Sequence, residues 1–200
     1  RWIFQQYDYM VRTNTIVAAG LGPGVVRVKG TNRALAVSLD GNGRFCLLDP
    51  RQGTRLALAE AARNVACAGA TPIGATNCLN FGNPERPDIM WQFAEAVAGL
   101  GDACRALEIP VTGGNVSLYN ETDGRAILPT PTIGGVGLLD RLDQVIRMAP
   151  RDGDRMLLLG ETRGHLGQSA LLAEIFGREE GDAPPVNLAT ERAAGEFLRH

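Results

Sequence analysis

The chain has 200 residues, 44% of them apolar, enough for one core-bearing domain or for one domain and part of another. A formal charge of -2 with Lys29 as the only lysine argues against a nucleic-acid surface, because phosphate backbones are held by clustered positive charge. No apolar run approaches the ~20 residues that cross a bilayer and no signal-like segment opens the chain, so a cytoplasmic protein with no nucleic-acid and no membrane partner is expected.

Taken in chain order, Arg1 to Asp8 carries no initiator methionine and reads as the end of an amphipathic helix already under way, so the sequence is expected to be an excerpt of a longer one. Val25–Lys29 and Leu35–Leu39 are short apolar runs around Gly30–Arg33, which predicts two antiparallel strands and a turn. Leu56, Ala59, Ala62 and Val65 predict a helix from Gly53 to Ala68, ended by Gly69, and Pro72 to Asn77 follows as a strand. The clearest periodicity is Met90, Phe93, Val97, Leu100, Cys104 and Leu107, which predicts a helix from Pro87 to Leu107 packing that stripe on a core. Ile109–Thr112 is the next strand, Asn120–Arg125 a hairpin turn, and Thr132–Leu139 the last strand of this part. Asp140 to Asp154 is polar and contains Pro150 and Gly153, so it is expected to link residues 1–140 to a second unit at 155–200. That unit would comprise a strand at Arg155–Gly160, a helix at Gln168–Phe176 and a helix from Asn187 onward, and would be an incomplete domain. Strands and helices alternate without strict βαβ regularity, which predicts an α+β fold.

The most informative stretches are Thr76–Glu85 and Thr112–Glu121, each following an apolar run. They set amides at Asn77, Asn80, Asn83, Asn115 and Asn120, with several hydroxyls, beside bare glycine backbone. This is the chemistry of a polar, phosphate-rich ligand site. With Asp40–Arg44 they form three expected glycine-bearing loops at strand ends, where main-chain N–H groups can turn toward phosphate oxygens without a Cβ in the way. None is a Walker A loop or a G-x-G-x-x-G fingerprint. Asn77 and Asn115 are candidate neutral oxygen donors to hydrated magnesium or phosphate partners, against the alternative of buried amides satisfied by backbone. Asp40 reads equally as a metal or arginine partner and as a turn former, and Glu85 and Glu121 are expected to face solvent. Cys46, Cys67, Cys78 and Cys104 form no C-x-x-C pair and read as reduced structural residues, and His165 and His200 are too few for a histidine-based metal cluster.

Together these motifs resemble phosphoribosylformylglycinamidine synthase, specifically the second half of its synthetase subunit in the small, separate-subunit form. The likeness runs through Gln6-Tyr7-Asp8, Asp40–Arg44, Glu60–Val65, Asn77–Glu85, Trp91-Gln92-Phe93, Gly113–Glu121, Pro129-Thr130-Pro131 and Gly164–Ser169. The resemblance implies a β-rich nucleotide-binding domain of the aminoimidazole ribonucleotide synthetase-like superfamily at residues 1–140, followed by the start of its α/β companion domain. It also implies that the positions of Asn77 and Gly114 contact ATP, that Asn115 helps hold Mg2+, and that Ser117 touches formylglycinamide ribonucleotide. No catalytic residue is expected in this segment, since the family's catalytic histidine belongs to the first half of the polypeptide. The implied reaction phosphorylates an amide oxygen with ATP and lets ammonia, released from glutamine by a partner glutaminase, displace the phosphate. A small accessory subunit and the first half of the same polypeptide are further implied partners. Two departures stand out: Asn64 occupies the position of the superfamily's signature aspartate ahead of Gly69-Ala70-Thr71-Pro72, and the position of Asn77 is an aspartate in some members. The rival readings are another enzyme of that superfamily and a non-catalytic scaffold with a vestigial nucleotide site.

Overall fold

Six strands in one sheet and two long helices carry the architecture of the computed structural model, which describes residues 2–18, 20, 22–161 and 163–199. A short helix α1 (Trp2–Gln5) precedes β1 (Thr15–Val17), β2 (Gly24–Arg27) and β3 (Ala34–Asp40). Then come α2 (Gly43–Leu48), α3 (Pro50–Cys67), β4 (Thr71–Asn80), α4 (Pro87–Leu107) and β5 (Val111–Ser117). The hairpin strands β6 (Glu121–Thr122) and β7 (Arg125–Ala126) lead into β8 (Thr130–Leu139), and α5 (Leu188–Arg199) closes the described chain. The sheet order is β1-β2-β3-β8-β4-β5, antiparallel throughout except for the parallel pair β4–β5, which α4 connects as a crossover.

The helix ends follow from local chemistry. Asp49 caps α3 by accepting from the Gln52 N–H at 2.8 Å, with Pro50 in the first turn, and Gly69 at φ +85° ends it in a conformation that suits glycine. Helix α4 starts on Pro87 and stops where Glu108 turns left-handed ahead of Pro110. Its buried face differs from the predicted stripe, because the residues sealed from water are Ile89, Ala96, Gly99, Leu100 and Ala103, whereas Met90 and Val97 are exposed. Small residues win this face because α4 packs tightly on α3: a Cβ at Gly99 would overlap the main-chain carbonyl of Arg51.

Both long helices lie on one side of the sheet. Ser38 Oγ donates to the Ala61 carbonyl of α3 at 3.1 Å, and Gly135 and Gly137 admit Ala61 and Val65 against β8. Ala57, Leu58, Ala61, Ala75, Leu100, Ala103, Ile109 and Ile133 form the main core there. Among the described residues no helix covers the opposite sheet face, where Val37, Leu39 and Ile73 are exposed, Leu39 by 73%.

Several expectations change. The stretches Asn77–Asn80 and Gly113–Ser117 are not loops but the second halves of β4 and β5, since their main-chain groups pair with each other and, for β4, with β8. Gly43 and Arg44 are not a phosphate loop either: Asn42 caps α2, its Oδ1 accepting the N–H groups of Arg44 at 3.0 Å and Phe45 at 3.3 Å. Arg155–Gly160 forms no strand, because no ladder partner lies beside it among the described residues, and Met156, Leu157 and Leu158 are more than four-fifths exposed. Of the helix expected at Gln168–Phe176, residues 170–176 are helical, π-type at Leu171–Ile175. The final helix begins where Asn187 Oδ1 accepts the Thr190 N–H at 3.1 Å, and it lies on α3 and α4, tied by Arg63–Glu191 and Arg192–Glu108. Of the predicted opening helix, Arg1 lies outside the described residues, as does His200 at the far end.

Candidate functional site

The crossover through α4 turns two distant polar stretches into neighbours. In the parallel register Asn77 lies beside Gly114, Cys78 beside Asn115 and Asn80 beside Ser117, so the four residues singled out from sequence fall on two adjacent strands. Strand alternation then divides them between the faces. Asn77 and Gly114 share the helix side, where a Cβ on Gly114 would overlap both Asn77 Oδ1 and the Asn77 carbonyl, so the asparagine side chain fills the space that the glycine leaves. Asn115 and Ser117 share the uncovered side with Cys78 and Asn80. Thr76 marks that side too, since a Cβ at Gly134 would come within 2.8 Å of Thr76 Oγ1 and 3.9 Å of Leu39.

Strand β5 is the edge of the sheet, which makes the two faces continuous for a ligand lying around it. All of Val111–Val116 is exposed, and a Cβ at Gly113 would meet nothing within 4 Å. The edge also leaves main-chain N–H and C=O groups of β5 unpaired on its outer side, and these can bind a ligand that follows the backbone.

Ser117 is held more firmly than Asn115. The Asn120 amide Nδ2 lies 2.9 Å from the Ser117 carbonyl, 3.1 Å from Ser117 Oγ and 3.1 Å from the Phe81 carbonyl, and Ser117 Oγ lies 3.3 Å from Asn120 Oδ1. Phe81 is fully buried against Ile89, Ala96 and Phe93, the two rings meeting edge to face at 5.3 Å, so the clamp is anchored in core. The sequence places Asn120 both among the amides of the second polar stretch and at the start of the hairpin turn, and assigns it no role of its own. Its only signal was an asparagine three residues beyond the serine, where an amide can fold back on the strand.

The remaining candidates separate from this edge. Asp40 accepts from Asn64 Nδ2 at 2.8 Å, while its Oδ2 is buried without a partner, and neither a metal cluster nor an arginine serves it among the described residues. Asn64 thus meets the Asp40 carboxylate as an uncharged donor. Glu85 and Glu121 are exposed as expected, although Glu121 Oε1 accepts the Asn83 N–H at 3.3 Å. Cys46 is buried beside Gly53 and Thr54 of α3, and that burial pushes its thiol up to about 11; none of the cysteines is in a disulfide. No group of three His, Cys, Asp or Glu side chains that could hold a metal occurs among the described residues. For magnesium the β5 edge therefore offers a neutral amide oxygen at Asn115, a donor that fits an ion drawing its other oxygens from phosphate and water.

The family comparison decides the lineage of this sheet: residues 20–139 match the AIR synthase related protein, N-terminal domain. The chain belongs to that family. Over 198 residues it is 57% identical to the phosphoribosylformylglycinamidine synthase subunit PurL of Cereibacter sphaeroides (strain ATCC 17023), a match covering 99% of this chain and 28% of that protein. Among solved structures, PurLQS from Thermotoga maritima covers 75% of the chain at a TM-score of 0.69 and 33% identity, over 25% of its own length. T. maritima PurL complexed with ATP and the same protein complexed with FGAR each superpose at a TM-score of 0.62 over 70% of the chain, at 33% and 34% identity and 23% of their own length. The chain thus spans about a quarter of the length of the relatives it matches. The family fold agrees with the observed sheet and with the superfamily named by the sequence motifs.

Proposed function

We propose that this chain is a segment of an ATP-dependent ligase of purine biosynthesis that converts formylglycinamide ribonucleotide to formylglycinamidine ribonucleotide. The observation that carries the reading is the whole-chain similarity to PurL at 57% identity, joined to the placement of Asn77, Gly114, Asn115 and Ser117 on one pair of strands. In the proposed reaction the substrate's amide oxygen attacks the terminal phosphorus of ATP and ADP departs. Glutamine-derived ammonia then adds to the activated carbon, phosphate leaves, and a proton is lost to give the amidine. Converting a poor leaving group to phosphate is the chemical purpose of the ATP, and positioning supplies most of the acceleration in phosphoryl transfer.

On this chain the proposed roles follow the two faces of β5. Asn77 and Gly114 contact ATP, Asn115 would help hold Mg2+, and Ser117 contacts the ribonucleotide, the four lying on one strand pair. When bound, the metal would supply charge neutralisation for the transferring phosphoryl group. The first half of the same polypeptide is the proposed occupant of the uncovered sheet face, a role supported by the exposed Val37, Leu39 and Ile73. A glutaminase subunit and a small accessory subunit complete the proposed assembly, which would be cytoplasmic; no helix among the described residues is long and apolar enough to cross a membrane.

The test is the full-length polypeptide containing this segment, assayed for ATP-dependent amidine formation from formylglycinamide ribonucleotide with ammonium supplied. Turnover that requires the ribonucleotide supports the reading, and absence of turnover with a correctly folded, ATP-binding protein overturns it. Substitution of Gly114 by valine should abolish ATP binding in the same protein.

A further inference from the structure

We propose that Asn120 is a positioning residue that fixes the Ser117 hydroxyl as a hydrogen-bond acceptor toward the ribonucleotide, an inference that rests on the substrate-site reading of Ser117. The orientation of the Asn120 amide is determined by its surroundings. The carbonyl oxygens of Ser117 and Phe81, at 2.9 and 3.1 Å, can only accept, so the nitrogen of the amide must face them and Oδ1 must face the serine hydroxyl. Those two carbonyls occupy both hydrogens of Nδ2, and none remains for Ser117 Oγ at 3.1 Å. The favourable arrangement turns the hydroxyl proton toward Asn120 Oδ1, 3.3 Å away. The serine lone pairs are then left outward, and they suit a donor on the ligand, such as an amide N–H or a sugar hydroxyl, in preference to a phosphate oxygen.

The same contacts separate this role from a purely structural one. The Phe81 carbonyl also accepts the main-chain N–H of Asn120 at 3.1 Å, and the Ser117 carbonyl accepts that of Phe81 at 3.0 Å. Removing the Asn120 side chain therefore leaves each carbonyl with a main-chain donor, and the strand ends stay joined. What is lost is the acceptor that holds the hydroxyl proton.

The experiment uses the full-length enzyme with Ser117→Ala, Asn120→Ala and the double variant, reading KM for the ribonucleotide, KM for ATP, kcat and the unfolding midpoint. Asn120→Ala should raise the ribonucleotide KM by about 3–10-fold, the worth of one ordinary hydrogen bond, with the ATP KM unchanged. The double variant should be no worse than the poorer single one, because the amide acts through the hydroxyl. Multiplicative effects, equal rises in both KM values, or an unchanged ribonucleotide KM in Asn120→Ala would each overturn the inference. If Ser117→Ala alone is without effect, the substrate-site reading of Ser117 fails; if Ser117→Ala is impaired and Asn120→Ala is not, only the positioning role fails. Should the alanine variant not fold, Asn120→Ser, which keeps a short polar side chain at the turn but cannot reach Ser117 Oγ in the same way, is expected to show the same KM split.

Discussion

Adjacent glycines on β5 should respond oppositely to the same substitution. At Gly114 a Cβ overlaps the side chain and the carbonyl of Asn77, so Gly114→Ala forces either the asparagine from its position or β5 away from β4. Overpacking of this kind costs about 1–3 kcal/mol, against a gain of ~0.5–1 kcal/mol from restricting the unfolded chain, and the net is a loss of up to about 2.5 kcal/mol. At Gly113 a Cβ meets nothing within 4 Å and φ is not in the left-handed region, so only the gain applies. Thermal unfolding reads the difference, since 1 kcal/mol shifts the midpoint of a domain of this size by about 2–4 °C. Gly114→Ala should melt lower than wild type and Gly113→Ala at or above it. ATP affinity should fall in the first variant, where Asn77 Oδ1 is displaced. Equal melting temperatures for the two variants, or tighter ATP binding by Gly114→Ala, would refute the account of the edge strand.

Three further outcomes follow from packing and charge. Asp102 receives Arg55 and Arg51 from α3 and Arg105 from its own helix, and the hydrogen bonds from Arg55 and then Arg51 hold its carboxyl down at about 2. A depressed folded value stabilises above the unfolded value near 4 and is lost as pH falls through 2, so Asp102→Asn should flatten the acid limb of a stability–pH curve between those limits; an unchanged limb would dismiss the cluster as a stabilising link. Phe81→Ala removes a fully buried ring and should cost ~3–5 kcal/mol in urea unfolding, with Phe93→Ala milder because Phe93 is only half-buried; the reverse order would contradict the assigned core. Alkylation at pH 8 should modify Cys78 well before Cys46, whose thiol is both buried and pushed up to about 11, and mass mapping that finds Cys46 labelled first would contradict the packing of α2 on α3.

The parts of this fold legible in sequence are those set by local chemistry. Helix α4 could be bounded at both ends because Pro87 starts it and Pro110 prevents its continuation, and the hairpin at Asn120–Arg125 carried its own turn residues, Asp123 and Gly124, both left-handed in the structure. Which side of α4 faces inward was not legible from its large side chains. The helix–helix contact selects alanine and glycine for close approach, and that choice depends on a partner helix distant in sequence. The strand character of Thr76–Asn80 and Gly113–Ser117 was hidden for a related reason. Asparagine and glycine are depleted in strands, so propensity points to loops, whereas the deciding contribution is a parallel ladder between two segments that α4 separates in sequence. The register places Asn77, Gly114, Asn115 and Ser117 on one strand pair, and their division between two faces emerges only there.

That division explains why so unfavourable a strand exists. A glycine-rich, fully exposed edge carries an entropy cost, buries almost nothing of its own, and leaves half its backbone groups unpaired. It is held from one side by β4, whose Ala75 and Leu79 are sealed in core, and at its end by the main-chain bonds that join Ser117, Phe81 and Asn120. Larger β-branched residues at Gly113 and Gly114 would suit a strand better, yet they would displace Asn77 on one face and close the approach to the backbone on the other. Local sequence preference is overridden here where the sheet offers open backbone, amide oxygens and a fixed hydroxyl together, and functional sites are where the rules of foldability are expected to be broken.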